Sequence, residues 1–384
     1  MKPIFRVFLV LMLGVILSPH ACALVTWDID GDGIVSEAEL TDLILEYLDS
    51  APATSSHIGL ADLRSASHIH TYYPRTIADS NGDAITIYKP VRRIVALTSD
   101  CAEVIRSLGA TDEVAGVSTG IAEDDFFSEF TEVQTVGKWN SPDCEVLLAL
   151  DPDVVLAYGK WPGKDKLEEK LGGTGIVVIR LNLYIPDNMT DDVRELGIVL
   201  EREEKAQEMI DFYQHHTDLI KERVGSLPKE DRQSIYLECY SDFKTVSAGS
   251  GGDSMCVMAG GRNIASDLIG AYPKIDSEWV IAQNPDVVVR AASASYDNTS
   301  EPEAILGDIV SRPGWAGMDA VEGGRVHLLT SDIYTGPRYV IGVTYMAKWL
   351  YPDTFADIDP SNIHREYLVR FQGMDIQDKI FVYP

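Results

Sequence analysis

Two short stretches of this chain carry nearly the same pattern. Glu145-VLLALD-Pro152-Asp153-Val154-Val155 and Glu278-WVIAQN-Pro285-Asp286-Val287-Val288 share the spacing Glu-x6-Pro-Asp-Val-Val. Each reads as a short helix opened by a glutamate, a turn at Pro-Asp and then a buried strand. A spacing repeated that closely argues for two similar lobes. Between the copies lies a long amphipathic run, Asn188 to about Ser226. Its apolar residues Val193, Leu196, Leu200, Met209, Ile210, Tyr213, Leu219, Ile220 and Val224 recur at three- and four-residue steps. Thr190, Asp191 and Asp192 give it an acidic start, and Pro228 stands just past its end. The pattern predicts one helix over 189–226, roughly 50 Å long at the usual rise per residue, serving as a strut between the lobes. A coiled coil would need regular heptads, and these are irregular.

Alternating strand and helix patterns flank the strut. In the first lobe (73–188), Thr76–Tyr88 reads as a hairpin turning at Asn81-Gly82, and Arg93–Leu97 as a buried strand followed by a helix capped at Ser99. Strands at 114–117, 154–157 and 176–181 follow, with helices after Pro142 and over 164–171. The second lobe (227–384) repeats the alternation, with strands at 235–238, 287–289 and 326–329 and helices near 254–259, 278–282, 304–310 and 339–350. Such alternation implies α/β lobes built on largely parallel sheets.

Lys2 and Arg6 precede an apolar run, Val7–Leu17, and Ala21-Cys22-Ala23 has the small-residue form of a leader-peptidase site. Residues 1–23 therefore read as a signal peptide, with Cys22 as an alternative lipid anchor. An exported chain is expected, extracytoplasmic or at the cell surface. The formal charge of −28 would repel a phosphate backbone, which excludes nucleic acid as a partner. Cys101, Cys144, Cys239 and Cys256 form no C-x-x-C pair, so a zinc site has no support, and isolated buried thiols are expected.

Residues 24–49 hold the most specific motif. Asp28, Asp30 and Asp32 stand at positions 1, 3 and 5 of a loop, with Gly33 at 6, the Ile34 carbonyl at 7, Ser36 at 9 and Glu39 at 12. These are the oxygen ligands and the sharp turn of a Ca²⁺-binding EF-hand loop. Ser36 and Glu39 also form a capping box, opening a helix with Leu40, Leu43, Ile44, Tyr47 and Leu48 on one face. This half-hand resembles one repeat of a dockerin, which implies a cohesin-like partner; a Ca²⁺-stiffened N-terminal cap is the other reading. Residues 50–72 are expected to be a linker, by composition at Ser50-APATSS-His57, with a short polar helix before the hairpin that follows.

Arg93-IVAL, the Trp139 loop before Glu145, the two Pro-Asp strands, Gly260-Gly261-Arg262-Asn263 and Leu329-Thr-Ser-Asp332 together resemble the helix-backbone class of ABC-transporter substrate-binding proteins. This is the iron-siderophore and cobalamin group, and the resemblance runs from about Tyr73 to Phe371. It implies two Rossmann-like lobes joined by one backbone helix, a cleft for a metal chelate, and delivery to a permease dimer with its ATPase subunits. It also implies that Glu145 and Glu278, one per lobe, meet arginines of the permease. For the cleft it points to Trp139, at the place where cobalamin binders carry a tryptophan. Tyr158, Trp161, Tyr240, Asp332, Tyr334 and Arg338 follow strand ends, where open α/β sheets bind ligands. Arg338 is expected to meet a carboxylate or phosphate of the ligand. The histidines lie elsewhere, so a bare metal ion is not the expected cargo. Ala248-Gly-Ser250-Gly-Gly252 approaches a nucleophile elbow but lacks its first glycine, and no catalytic cofactor or enzyme activity is expected.

Overall fold

The computed structural model describes residues 25–49, 58–292, 295–376 and 378–384. The leader and the Ser50–His57 stretch lie outside these residues. Helix α1 (Glu37–Asp49) packs on α2 (Leu60–Tyr72), which buries Ala66 and Ile69. α2 is the short polar helix expected before the hairpin, and Ala66, Ile69 and Tyr73 make a buried apolar edge along it.

In the first lobe, β1 (Arg75–Ala78) and β2 (Ala84–Ile87) form the antiparallel hairpin, with Gly82 at φ +80° in the turn. Next come β3 (Ile94–Ala96), α3 (Ser99–Ser107), β4 (Val114–Val117) and α4 (Thr119–Ala122). A small hairpin of β5 (Gly137–Lys138) and β6 (Ser141–Pro142) precedes α5 (Cys144–Leu150), β7 (Val154–Ala157), α6 (Glu168–Leu171) and β8 (Val177–Arg180). The four main strands run parallel in the order β4-β3-β7-β8. Thr98, not Ser99, caps α3, accepting from the Cys101 N–H at 3.3 Å.

The second lobe contains β9 (Ser234–Glu238), α9 (Gly251–Met258), β10 (Arg262–Asn263), α10 (Ser277–Gln283) and β11 (Val287–Ala292), once two intervening helices have crossed from the first lobe. Then follow α11 (Ser300–Val310), α12 (Asp319–Glu322), β12 (Val326–Thr330), α13 (Tyr339–Leu350), α14 (Pro360–Tyr367) and β13 (Val382–Tyr383). The order is β10-β9-β11-β12-β13, parallel except for β13. The repeated Pro-Asp pattern has a common cause in the two lobes. Asp153 Oδ2 accepts the Arg92 and Arg93 N–H groups at 2.8 and 3.0 Å, entering β3. Asp286 Oδ2 accepts the Ser234 N–H at 2.7 Å, entering β9. Each aspartate therefore ties the start of its own strand to a neighbouring one, β7 to β3 and β11 to β9.

The strut is two helices rather than one. α7 (Met189–Val199) ends before α8 (Glu203–Val224), and Glu201 between them takes φ +56°. Gly197 lets the two pack closely, since a Cβ there would lie 2.5 Å from the Ala206 Cβ. Arg92 holds the Glu201 carboxylate at 3.1 Å, and His68 of α2 reaches it from the other side. α8, 22 residues long, spans the lobes on its own, roughly 33 Å. The C-terminal segment crosses back to the first lobe, where Gln372 donates to the Ser107 hydroxyl at 2.7 Å and Tyr367 to Glu103 at 3.0 Å.

Candidate ligand-binding cleft

In an open α/β sheet, a crevice forms where neighbouring strands send their connections to opposite sides. In the first lobe that strand is β3, flanked by β4 and β7; in the second it is β9, flanked by β10 and β11. The residues just beyond them are Asp100, in the first turn of α3, and Tyr240. They share one gap. The Asp100 charge reaches the Tyr240 hydroxyl across it, and Gly336 of the second lobe faces Asp100 so closely that a Cβ would lie 2.9 Å from Oδ1.

On the first-lobe wall, Tyr158 follows β7 and donates its hydroxyl to Asp100 Oδ2. Trp139 stands edge-on to Tyr158 at 5.5 Å, and Tyr158 edge-on to Tyr184 at 4.9 Å. Arg180 fixes this wall from behind. Buried, it donates to the Tyr158 and Pro162 carbonyls at 2.7 and 2.8 Å and forks onto Glu168. Trp161, on the loop so held, is exposed and makes no ring contact with the row. Burial pushes the Asp100 carboxyl up to about 6, with the Tyr158 hydrogen bond acting against it.

On the facing wall, Tyr240 is 65% exposed at φ +62° and meets the Tyr272 ring edge-on at 5.5 Å. The Lys244 ammonium sits 5.1 and 5.7 Å from those two ring centroids. A cavity of about 1240 Å³ opens beside Tyr240, lined also by Tyr334, Ser331, Arg290, Arg312 and Glu278, and all of its lining belongs to the second lobe. Tyr334 is buried, and its hydroxyl has no hydrogen-bond partner among the described residues.

Arg338 does not present a free cation, which corrects the sequence expectation. It is 7% exposed, its Nε lies 3.0 Å from Glu103 of α3, and its guanidinium stacks 4.4 Å over Phe126. The pair bridges the lobes behind the cleft. Asp332 lies 3.9 Å from Arg338, with Oδ2 buried and unpartnered among the described residues. Sequence reasoning missed Asp100, Tyr184, Tyr272 and Lys244. Asp100 was findable from its place after β3; Tyr272 and Lys244 lie in irregular loops that carry no such signal.

Glu145 and Glu278 are both exposed and stand in equivalent places. Asp143 caps α5 by accepting the Glu145 N–H at 3.0 Å, and Asp276 caps α10 by accepting the Trp279 N–H at 2.8 Å. Ser250, the serine of the elbow-like stretch, caps α9 and donates to the Ser247 carbonyl at 2.8 Å, so its hydroxyl is a structural one. His68 and His70 turn apart, to Glu201 and to the Val35 carbonyl.

In the N-terminal loop, carboxylate oxygens of Asp28, Asp30 and Asp32 lie within 4.8 Å of one another, a hard-oxygen set that suits Ca²⁺. Glu39 stands outside that cluster. It accepts the Ser36, Ile29 and Asp30 N–H groups, bonds that hold its carboxyl near 2, the one from Ser36 foremost. Ser36 donates its hydroxyl to Glu39, and the Ile34 N–H bonds to Asp32, so the loop is closed by its own groups. Of the apolar face expected on α1 only Leu43 is buried, while Ile44 and Leu48 are 41% and 69% exposed.

A sequence profile of the periplasmic binding protein family matches residues 94–333. The chain belongs to that family. Among periplasmic binding proteins it is similar to an uncharacterised ABC transporter substrate-binding lipoprotein, YvrC of Bacillus subtilis, at 26% identity over 74% of this chain and 88% of that one. The molybdate-binding protein MolA of Haemophilus influenzae is 23% identical over 81% of this chain and 95% of its own length. A vitamin B12-binding protein of Yersinia pestis is 25% identical over 58% and 79%. In fold the chain resembles the TroA-like periplasmic binding protein FepB of Veillonella parvula, with a TM-score of 0.70, 22% identity, and coverage of 81% of this chain and 99% of that one. It is a substrate-binding protein of the ABC-importer type, and no described helix is long and apolar enough to cross a membrane.

Proposed function

We propose that this chain is the extracytoplasmic receptor of an importer for a metal chelate, a corrinoid such as cobalamin or else a ferric siderophore or haem. The observation that carries the reading is the double row of rings, Trp139–Tyr158–Tyr184 against Tyr240–Tyr272, facing one gap where both sheets open. Flat aromatic walls with few polar anchors suit a rigid, partly apolar disc or cage more than a small hydrated ion. The two capped glutamates Glu145 and Glu278 then serve as the docking points for arginines of the permease dimer, with ATPase subunits beneath it. Titration of intrinsic tryptophan fluorescence with cobalamin, haem and several ferric siderophores tests this. Quenching by one of them at micromolar concentration is expected; silence from all would end the chelate reading.

A second reading rests on the N-terminal cap. Ca²⁺ held by Asp28, Asp30 and Asp32, beside the exposed Ile44, Leu45 and Leu48 of α1, would make a Ca²⁺-dependent attachment surface for a cohesin-like partner. Ca²⁺-dependent retention of the full chain, lost in Asp28→Ala, on an immobilised cohesin module would favour it. Equal retention with and without Ca²⁺, or none, would leave the loop a structural cap.

A further inference from the structure

The charges bordering the cleft bear on what the cargo carries. Most cations near it are already matched. Arg338 is paired with Glu103, Arg106 with Glu129, Arg290 and Arg312 with Glu238 and Asp242, and Lys379 with Asp297. Lys244 lies against two ring faces instead of a carboxylate. The acids are less well matched. Asp100 accepts one hydrogen bond among the described residues, from Tyr158 to Oδ2, and its Oδ1 lies against Gly336, which has no side chain to answer it. Asp332 keeps one oxygen buried without a partner among the described residues.

We propose that the cleft selects neutral or cationic metal chelates over anionic ones, and that Asp100 is the residue that sets this preference. The proposal rests on the chelate reading above and narrows it. A ligand in the gap finds the Asp100 oxygen short of a donor and the neighbouring guanidiniums already paired, so an anionic face would be held against like charge. A ligand rim bearing amide N–H groups or an ammonium would give that oxygen the donor it lacks. The field of the whole chain, at −28, draws cations and repels anions in the same sense. The glycine at 336 fits this account, because any side chain there would cover Oδ1 from the opposite lobe.

The preference should also depend on pH. The charged or titratable groups facing Asp100 are Glu103 and the Cys101 thiol on its own helix, Arg338 from the loop before α13, Tyr158 and Tyr184 of the first lobe, and Tyr240 of the second. Arg338 and Glu103 offset each other. With its carboxyl pushed up to about 6 by burial, Asp100 takes up a proton as the pH falls through that value, and the penalty on anions then lifts.

The test is a binding series on the full chain, read by tryptophan fluorescence and calorimetry at pH 7.5 and pH 5. The probes are ferric chelates of similar size but different charge (a cationic and a neutral trihydroxamate and an anionic triscatecholate), with a neutral corrinoid and molybdate beside them. At pH 7.5 the best neutral or cationic chelate should bind at least about tenfold more tightly than the triscatecholate and molybdate. In Asp100→Asn, and in the native chain at pH 5, that ratio should fall by about tenfold. Asp332→Asn serves as a second variant should Asp100→Asn fail to fold, with a smaller change in the same direction. An anion bound as tightly as the cation, or a ratio unmoved by both substitutions and by pH, overturns the charge rule while leaving the chelate reading in place. Binding of no probe at all overturns both.

Discussion

Glu103 and Arg338 stand 235 residues apart and meet in the interior, 4% and 7% exposed, where the C-terminal segment braces α3. Removing one partner would leave the other charge without compensation in a site water does not reach. Arg338→Met should therefore lower stability by about 3–5 kcal/mol in urea unfolding, and pairing it with Glu103→Leu should restore most of the loss. No recovery in the double variant would mean that the pair does more than neutralise itself. Nothing in the local sequence shows that Arg338 is taken up by an ion pair. A lone arginine after a strand looks like a ligand anchor until its distant partner is known. His364, nearby, belongs to the same brace. It is 5% exposed, edge-on to Phe381 at 4.4 Å, and burial, helped by the Arg338 charge, lowers its pKa to about 3. The folded chain thus binds this proton less readily than the unfolded one. The contribution is fully present above about pH 6.5 and is lost as the pH falls toward 3. At pH 4.5 the loss is roughly 2–3 kcal/mol, so His364→Phe should narrow the stability gap between pH 7.5 and pH 4.5 by that amount. An unchanged gap would place the proton elsewhere.

At the scale of elements, most of the alternation was legible because buried parallel strands are short apolar runs between turn residues. β4, β7 and α13 occupy the spans the sequence predicts, and the twin Pro-Asp turns have their cause in Asp153 and Asp286. The strut was not fully legible. Its apolar steps continue through Leu200 without glycine or proline at the break, and what turns the chain is tertiary: the grip of His68 and Arg92 on Glu201, and the close approach at Gly197. A residue at positive φ outside glycine is costly enough that such outside support is needed. Gly197→Ala should force α7 and α8 apart, since its Cβ would fall 2.5 Å from that of Ala206. A destabilisation of about 1–3 kcal/mol is expected, measured by thermal unfolding. If the variant were as stable as the native chain, the two helices would have room that their packing denies. The same blindness explains the cleft: Tyr158 and Tyr240 could be placed after strands and Trp139 by the family resemblance, whereas Tyr272 reaches the gap only through the folding of an irregular loop.

Across the whole molecule the two lobes repeat one plan, and the repeat puts Glu145 and Glu278 in equivalent positions outside the cleft. Each lies in the first turn of a seven-residue helix, two residues past a capping aspartate, and each is exposed. Neither touches the tyrosine rows, though Glu278 borders the cavity on the second lobe. A partner with paired arginines could engage both at once, gaining two charge-assisted contacts whose effects multiply. The ligand walls and the docking points should therefore separate by mutation. Glu145→Ala combined with Glu278→Ala is expected to keep ligand affinity within about twofold, since no ring or cleft carboxylate loses a contact. Uptake by vesicles carrying the permease and ATPase should fall by at least about tenfold, because lost charge-assisted contacts of roughly 1.5–3 kcal/mol each would weaken docking. Trp139→Ala should behave oppositely, with affinity reduced by about tenfold and uptake rescued at saturating ligand. If the double variant bound ligand as poorly as Trp139→Ala, the glutamates would belong to the cleft; if it transported normally, the permease would hold some other surface of the two lobes.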